Sequence, residues 1–167
     1  MSPSPNRPRT DVELRVHRLA GPKGVNPVKA DVRSPDGRLR INVVQQQAAK
    51  LKQTLLQVTD VSQLGTPEEV ALLVLPPGSR VARAQVVTFP QPPRDTGSVL
   101  GVIERPPKQL YRYEVLLASG EHAEVSVGVQ FGQVQLMGAA APEAAWPEAG
   151  PTLRAVADSF KLLNRGV

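Results

Sequence analysis

"LYRYEVLLASGEHAEVSVGVQFGQVQL", residues 110–136, decides the fold. Tyr111, Tyr113, Val115 and Leu117 recur at period two, so its first eight residues read as a strand with one apolar face. The Ala-Ser-Gly step then breaks the strand. Alternation returns with Ala123, Val125, Val127 and Val129 on one side and His122, Glu124, Ser126 and Gly128 on the other. After a turn at Phe131-Gly132, Val134 and Leu136 alternate with Gln133 and Gln135. Short turns between such strands predict antiparallel pairing. His122, one of only two histidines, falls on the polar side near a strand start. Spacing alone leaves it open as a metal ligand, a catalytic group or a solvated residue at a strand end.

Working outward, "RVARAQVVTF" (80–89) reads as another strand, while "PQPPRDTG" and "ERPPKQ" read as loops around a short apolar piece. Upstream, "DVSQLGTPEEVALLVLPPG" carries a helix start. Thr66 is the N-cap, Pro67 suits the first helical position and Glu69 completes a capping box. Pro76, Pro77 and Gly78 stop that helix after little more than two turns. "LRINVVQ" (39–45) reads as a buried strand by its β-branched content, "SPDG" before it as a turn and "VELRV" (12–16) as a first strand. At the other end, Leu153, Val156, Ala157 and Phe160 in "PTLRAVADSFKLL" (151–163) form one apolar stripe at helical spacing. The pattern is an α+β sandwich with helices on a mostly antiparallel sheet.

The 167 residues suit one domain. With no cysteine there is no disulfide, thiolate zinc site or cysteine nucleophile. No apolar run approaches the roughly 18 residues of a spanning helix. The net charge of +5 is uneven: the first 40 residues hold nine Lys or Arg against four acids, and the other 127 hold eleven of each. The basic excess therefore belongs to the N-terminal region and favours an acidic partner surface. Residues 1–11 have the Pro-, Ser- and Arg-rich composition of a flexible tail or of the remainder of a targeting peptide, ahead of a single domain over 12–167. The basic region lacks the aromatic interleaving of a nucleic-acid binder, so no nucleic acid is expected. Without a G-x-S-x-G, P-loop or G-x-G-x-x-G motif, no enzymatic site is legible.

"NVVQ", "VSQLGTPEEVA", "YRYEV", "GEHAEVSVGVQFGQVQLMGAA", the lone Trp146 and "LRAVADSFKLL" follow in the order of the PsbP family signature. "GPKGVNPVKADV" is similar to a further family segment, with Val25 in place of a tryptophan. The resemblance covers about residues 12–163. It implies an α/β/α sandwich of the Mog1/PsbP-like type and a non-catalytic extrinsic protein of the thylakoid lumen, in a chloroplast or cyanobacterium with the chloroplast favoured. The family's main subunit supports calcium and chloride retention by photosystem II. Relatives act in photosystem II assembly or repair, in photosystem I assembly or in the NDH complex. The expected partner is thus a photosystem core complex on its lumenal side, photosystem II first, with the protein peripheral to the membrane. Docking is expected through Arg7, Arg9, Arg15, Arg18 and Lys23. The resemblance also matches His122 to a metal-binding histidine and Glu143 to its carboxylate partner, a pair suited to a weak Mn²⁺ or Zn²⁺ ion, or Ca²⁺, with no tightly bound cofactor. The loop over 91–109 is longer and richer in proline than the family usually shows. Proteins of the same sandwich fold that bind a small GTPase supply an alternative of another class, as does a basic nucleic-acid-binding module.

Overall fold

The computed structural model describes residues 28–51 and 57–162. The expected tail over 1–11, the strand over 12–16, Val25 and the five basic docking residues lie outside them. The elements run β1 (Val28–Arg33), β2 (Arg40–Gln47), α1 (Ala48–Leu51), a 3-10 turn (Val61–Leu64), α2 (Pro67–Val74) and β3 (Arg80–Phe89). They continue through β4 (Arg94–Asp95), β5 (Val102–Ile103), β6 (Lys108–Leu116), β7 (Glu121–Gln130) and β8 (Gln133–Pro142) to a second 3-10 turn (Glu143–Ala145) and α3 (Trp146–Ser159). Six strands form one sheet in the order β1-β2-β8-β7-β6-β3, and every neighbouring pair is antiparallel.

The centre of that sheet is the meander read from the sequence. Gln130 pairs with Gln133, leaving Phe131 and Gly132 as a two-residue loop with φ of 54° and 71°. Two positive φ values give the turn whose twist matches that of paired strands. Tyr111, Tyr113, Val115, Leu117, Ala123, Val125, Val127, Val129, Val134 and Leu136 are all buried in one core, under Val61, Leu64, Val70 and Val74 of the first 3-10 turn and α2. The two tyrosines also tie the layers together by polar bonds. Tyr111 Oη donates to the Gly65 carbonyl at 2.9 Å and Tyr113 Oη to the Pro67 carbonyl at 2.6 Å. Burial raises both phenols, that of Tyr113 well above its ordinary range. The capping box is present as expected: Thr66 Oγ1 accepts from the Glu69 amide, and Glu69 Oε2 accepts from the Thr66 amide.

The opposite face carries α3 over Met137, Ala139 and Ala141, with Trp146, Leu153 and Ala157 inward. The sheet is therefore covered by helices on both faces, the expected α/β/α sandwich. The last helix differs from its sequence reading: it starts at Trp146 and ends at Ser159, with Pro151 inside it. Gly150, just before it, lets the backbone pack against the Trp146 ring, where a Cβ would meet the indole at 3.2 Å. The second difference is on β7. Glu124 and Ser126, read as a polar face, are buried because α3 lies across them. The third is between the proline clusters, where β4 and β5 pair as a small hairpin and β6 already begins at Lys108.

Candidate functional site

Strand register gathers the charged side chains under α3. The short turn after β6 sets Leu116 opposite His122 and Glu114 opposite Glu124, and β3 adds Arg83 beside Glu114. Like charges directly across a strand pair repel, so this register demands cations nearby. Two arginines supply them. Arg83 Nη2 lies 3.7 Å from Glu114 Oε2 and 3.6 Å from Glu124 Oε1. From α3, Arg154 Nη2 donates to Glu114 Oε1 at 3.2 Å, and its Nε lies 3.5 Å from Glu124 Oε1. His122 also meets Glu114.

The His122 ring is held on three sides. Nδ1 meets Glu143 Oε2 at 2.7 Å, Nε2 meets Glu114 Oε1 at 2.9 Å, and the ring stacks on Trp146 with centroids 3.8 Å apart and planes 7° from parallel. Each ring nitrogen thus faces a carboxylate oxygen, and the ring that they hold lies flat on the indole. The Arg154 guanidinium carbon stands 5.6 Å from the Trp146 ring centroid, so this cation also meets the aromatic face. With 13% of its side chain exposed, His122 is not the solvated strand-end residue that the sequence left open.

The two facing glutamates differ in environment. Burial raises the Glu114 carboxyl, but the His122 hydrogen bond and the Arg154 charge outweigh it and hold the group below the ordinary carboxylate range. For Glu124, whose side chain is 5% exposed, burial wins over Arg83 and pushes the carboxyl up. Its Oε1 has no hydrogen bond, the guanidinium nitrogens being near but unaligned. Ser126 Oγ, wholly buried beside this cluster, is not exposed to any solute.

Residues 16–162 match the PsbP family profile. The chain belongs to the PsbP family. Its fold is similar to the solution structure of cyanobacterial PsbP (CyanoP) from Synechocystis sp. PCC 6803, with a TM-score of 0.53 and 17% identity over 84% of this chain and 78% of that one. No curated protein matches the chain. For this PsbP-family protein, the fold brings His122 and Glu143, separated by a whole strand, into direct contact. Glu114, Arg83, Glu124 and Arg154 were missed by sequence reasoning. The signal for Glu114 was present, because it has the opposite parity to Tyr113 and Val115 and so shares the His122 face. Among the described residues, no group of three or more His, Asp or Glu is placed to hold a metal ion together. Nor is any described helix long and apolar enough to cross a membrane.

Proposed function

We propose that this PsbP-family protein is a non-catalytic extrinsic protein of the thylakoid lumen. It docks on photosystem II and supports either calcium and chloride retention for water oxidation or the assembly and repair of the complex. The observation that carries this reading is the family match over residues 16–162. The basic excess of the first 40 residues supplies the charge for an acidic lumenal surface, through Arg7, Arg9, Arg15, Arg18 and Lys23. The test is a pull-down from solubilised thylakoids at low and high salt. Photosystem II core subunits should be recovered and fade as salt rises. Recovery of photosystem I or NDH subunits instead would replace photosystem II as the partner, and recovery of neither would overturn the reading.

Within this reading, His122 and Glu143 form a peripheral ion site. The imidazole nitrogen and carboxylate oxygen already face each other, and Glu143, 56% exposed, leaves water free to complete a coordination shell. The Glu114 carboxylate fixes Nε2, as outer partners of metal-binding histidines do. One imidazole and one carboxylate suit Mn²⁺ or Zn²⁺, whereas Ca²⁺ calls for six to eight oxygens that this pair does not supply. A bound ion would place a positive charge at Nδ1. An imidazole nitrogen ligates a metal only when it carries no proton, so ion and proton compete at that atom.

A further inference from the structure

The segment between the two proline clusters is a braced finger. β4 and β5 pair through Arg94 with Ile103 and Asp95 with Val102. Below them, Gln91 Nε2 donates to the Pro106 carbonyl and Arg105 Nε to the Pro92 carbonyl, both at 2.8 Å, tying one stem to the other. At the tip, Val99, Leu100, Val102 and Ile103 are all exposed. Val102 and Ile103 are consecutive in a strand, so their side chains leave on opposite faces. The apolar surface therefore runs round the tip instead of forming one flat side.

The backbone of this tip is unusually self-sufficient. The amides of Thr96, Gly97, Ser98, Leu100 and Gly101 donate to the Gly101 carbonyl, Asp95 Oδ1, Thr96 Oγ1, Ser98 Oγ and the Ser98 carbonyl, respectively. The Thr96 hydroxyl also donates to the Gly101 carbonyl at 2.7 Å. A loop in water needs no such accounting, because solvent serves its amides. A loop entering a lipid headgroup region does need it, because unpaired backbone groups there are costly. The prolines of the stems remove further donors at the base.

Charged side chains flank the stem: Arg94, Arg105 and Lys108, against Asp60 and Asp95, border a groove of about 760 Å³ between it and Phe131. Phe131 itself is exposed at a φ of 54°, a conformation that disfavours bulky side chains, so the turn presents an aromatic ring at a backbone cost. An apolar tip with five of its amides paired internally, beside an exposed aromatic ring, on a chain of net charge +5, combines the two signals needed for peripheral attachment to an anionic bilayer.

We propose that the 96–103 tip inserts into the surface of an anionic lipid bilayer. A protein pocket would favour one apolar face, whereas a bilayer accepts a tip that is apolar all round. This inference stands apart from docking on a photosystem, and protein-free vesicles keep the two separable. The full chain is floated with vesicles of phosphatidylcholine alone or mixed with phosphatidylglycerol. The wild type should bind the anionic vesicles. Val99→Asp with Leu100→Asp, at exposed positions where folding is not at stake, should lower the bound fraction at least tenfold with unchanged circular dichroism. Leu100→Trp should shift its fluorescence to the blue on anionic vesicles only. Absent binding by the wild type, equal binding by the double variant, or loss of photosystem capture by that variant without vesicle binding by the wild type would each overturn the proposal, the last assigning the tip to a protein partner.

Discussion

Glu114 and Glu124 face each other across β6 and β7 with the same charge, yet their neutralisation should move stability in opposite directions. Glu114 Oε1 accepts from His122 at 2.9 Å and from Arg154 at 3.2 Å. Glu114→Gln keeps one acceptor oxygen but loses the charge. Hydrogen bonds to charged groups are worth about 1.5–3 kcal/mol and neutral ones about 1, so the variant should lose roughly 1–3 kcal/mol at neutral pH. With a urea slope of about 1–3 kcal/mol per molar, the unfolding midpoint should fall by about 1 M. The folded pKa of Glu114 lies below its ordinary 4.5. Its contribution is therefore complete above that value and disappears as pH falls through the lower folded value, so variant and wild type should converge in acid. Glu124 runs the other way. Its folded pKa is raised, so the unfolded chain ionises first and the charge opposes folding as pH rises above 4.5. Glu124→Gln should leave the midpoint unchanged in acid and raise it at neutral pH. Equal losses from both variants, or a Glu114→Gln deficit that does not shrink in acid, would refute this account of the cluster.

Three further outcomes are expected. Tyr113→Phe removes the hydroxyl that donates to the Pro67 carbonyl and should cost about 0.5–1.5 kcal/mol in urea unfolding, with the far-ultraviolet dichroism unchanged. Arg15→Glu with Arg18→Glu should reduce capture of photosystem complexes at low salt while leaving the fold intact, and equal retention would remove the basic arm from docking. His122→Ala should abolish the calorimetric heat of Mn²⁺ or Zn²⁺ binding, and in the wild type that heat should weaken as pH falls because the ion competes with the Nδ1 proton. Unchanged binding by the variant would place the ion elsewhere.

The strands from Leu110 to Leu136 were legible because a half-buried strand writes its packing as a period of two, and both tyrosines fell where that period placed them. The capping box at Thr66 was equally plain, since its bonds are made within four residues. Legibility failed where a distant element altered the environment. Glu124 and Ser126 looked solvated until α3 covered them, and nothing within β7 records that helix. The apolar stripe from Leu153 to Phe160 marked the last helix but not its start at Trp146, before the quoted segment. At the site, family resemblance paired His122 with Glu143, but the carboxylate that fixes the other ring nitrogen comes from strand register, through Leu116 opposite His122. Cross-strand partners of this kind emerge only after the turn length is known.

The geometry also separates the two surfaces that carry the proposals. His122 begins β7, whereas Gln130, which ends it, borders the groove beside the finger. Eight residues of strand at about 3.3 Å each put these two points roughly 26 Å apart. Among the described residues no charged pair links them, since the His122 cluster draws on β3, β6, β7, the second 3-10 turn and α3, while the finger is braced by its own stems. Changes at the two sites should therefore add: the tip variant should leave metal affinity untouched, and Glu143→Gln should leave vesicle binding untouched. Within the cluster, by contrast, Glu114 is shared by His122, Arg83 and Arg154, so removal of one member changes what the others meet. His122→Ala and Glu114→Gln should accordingly be far from additive, because the second change removes a partner that the first has already released.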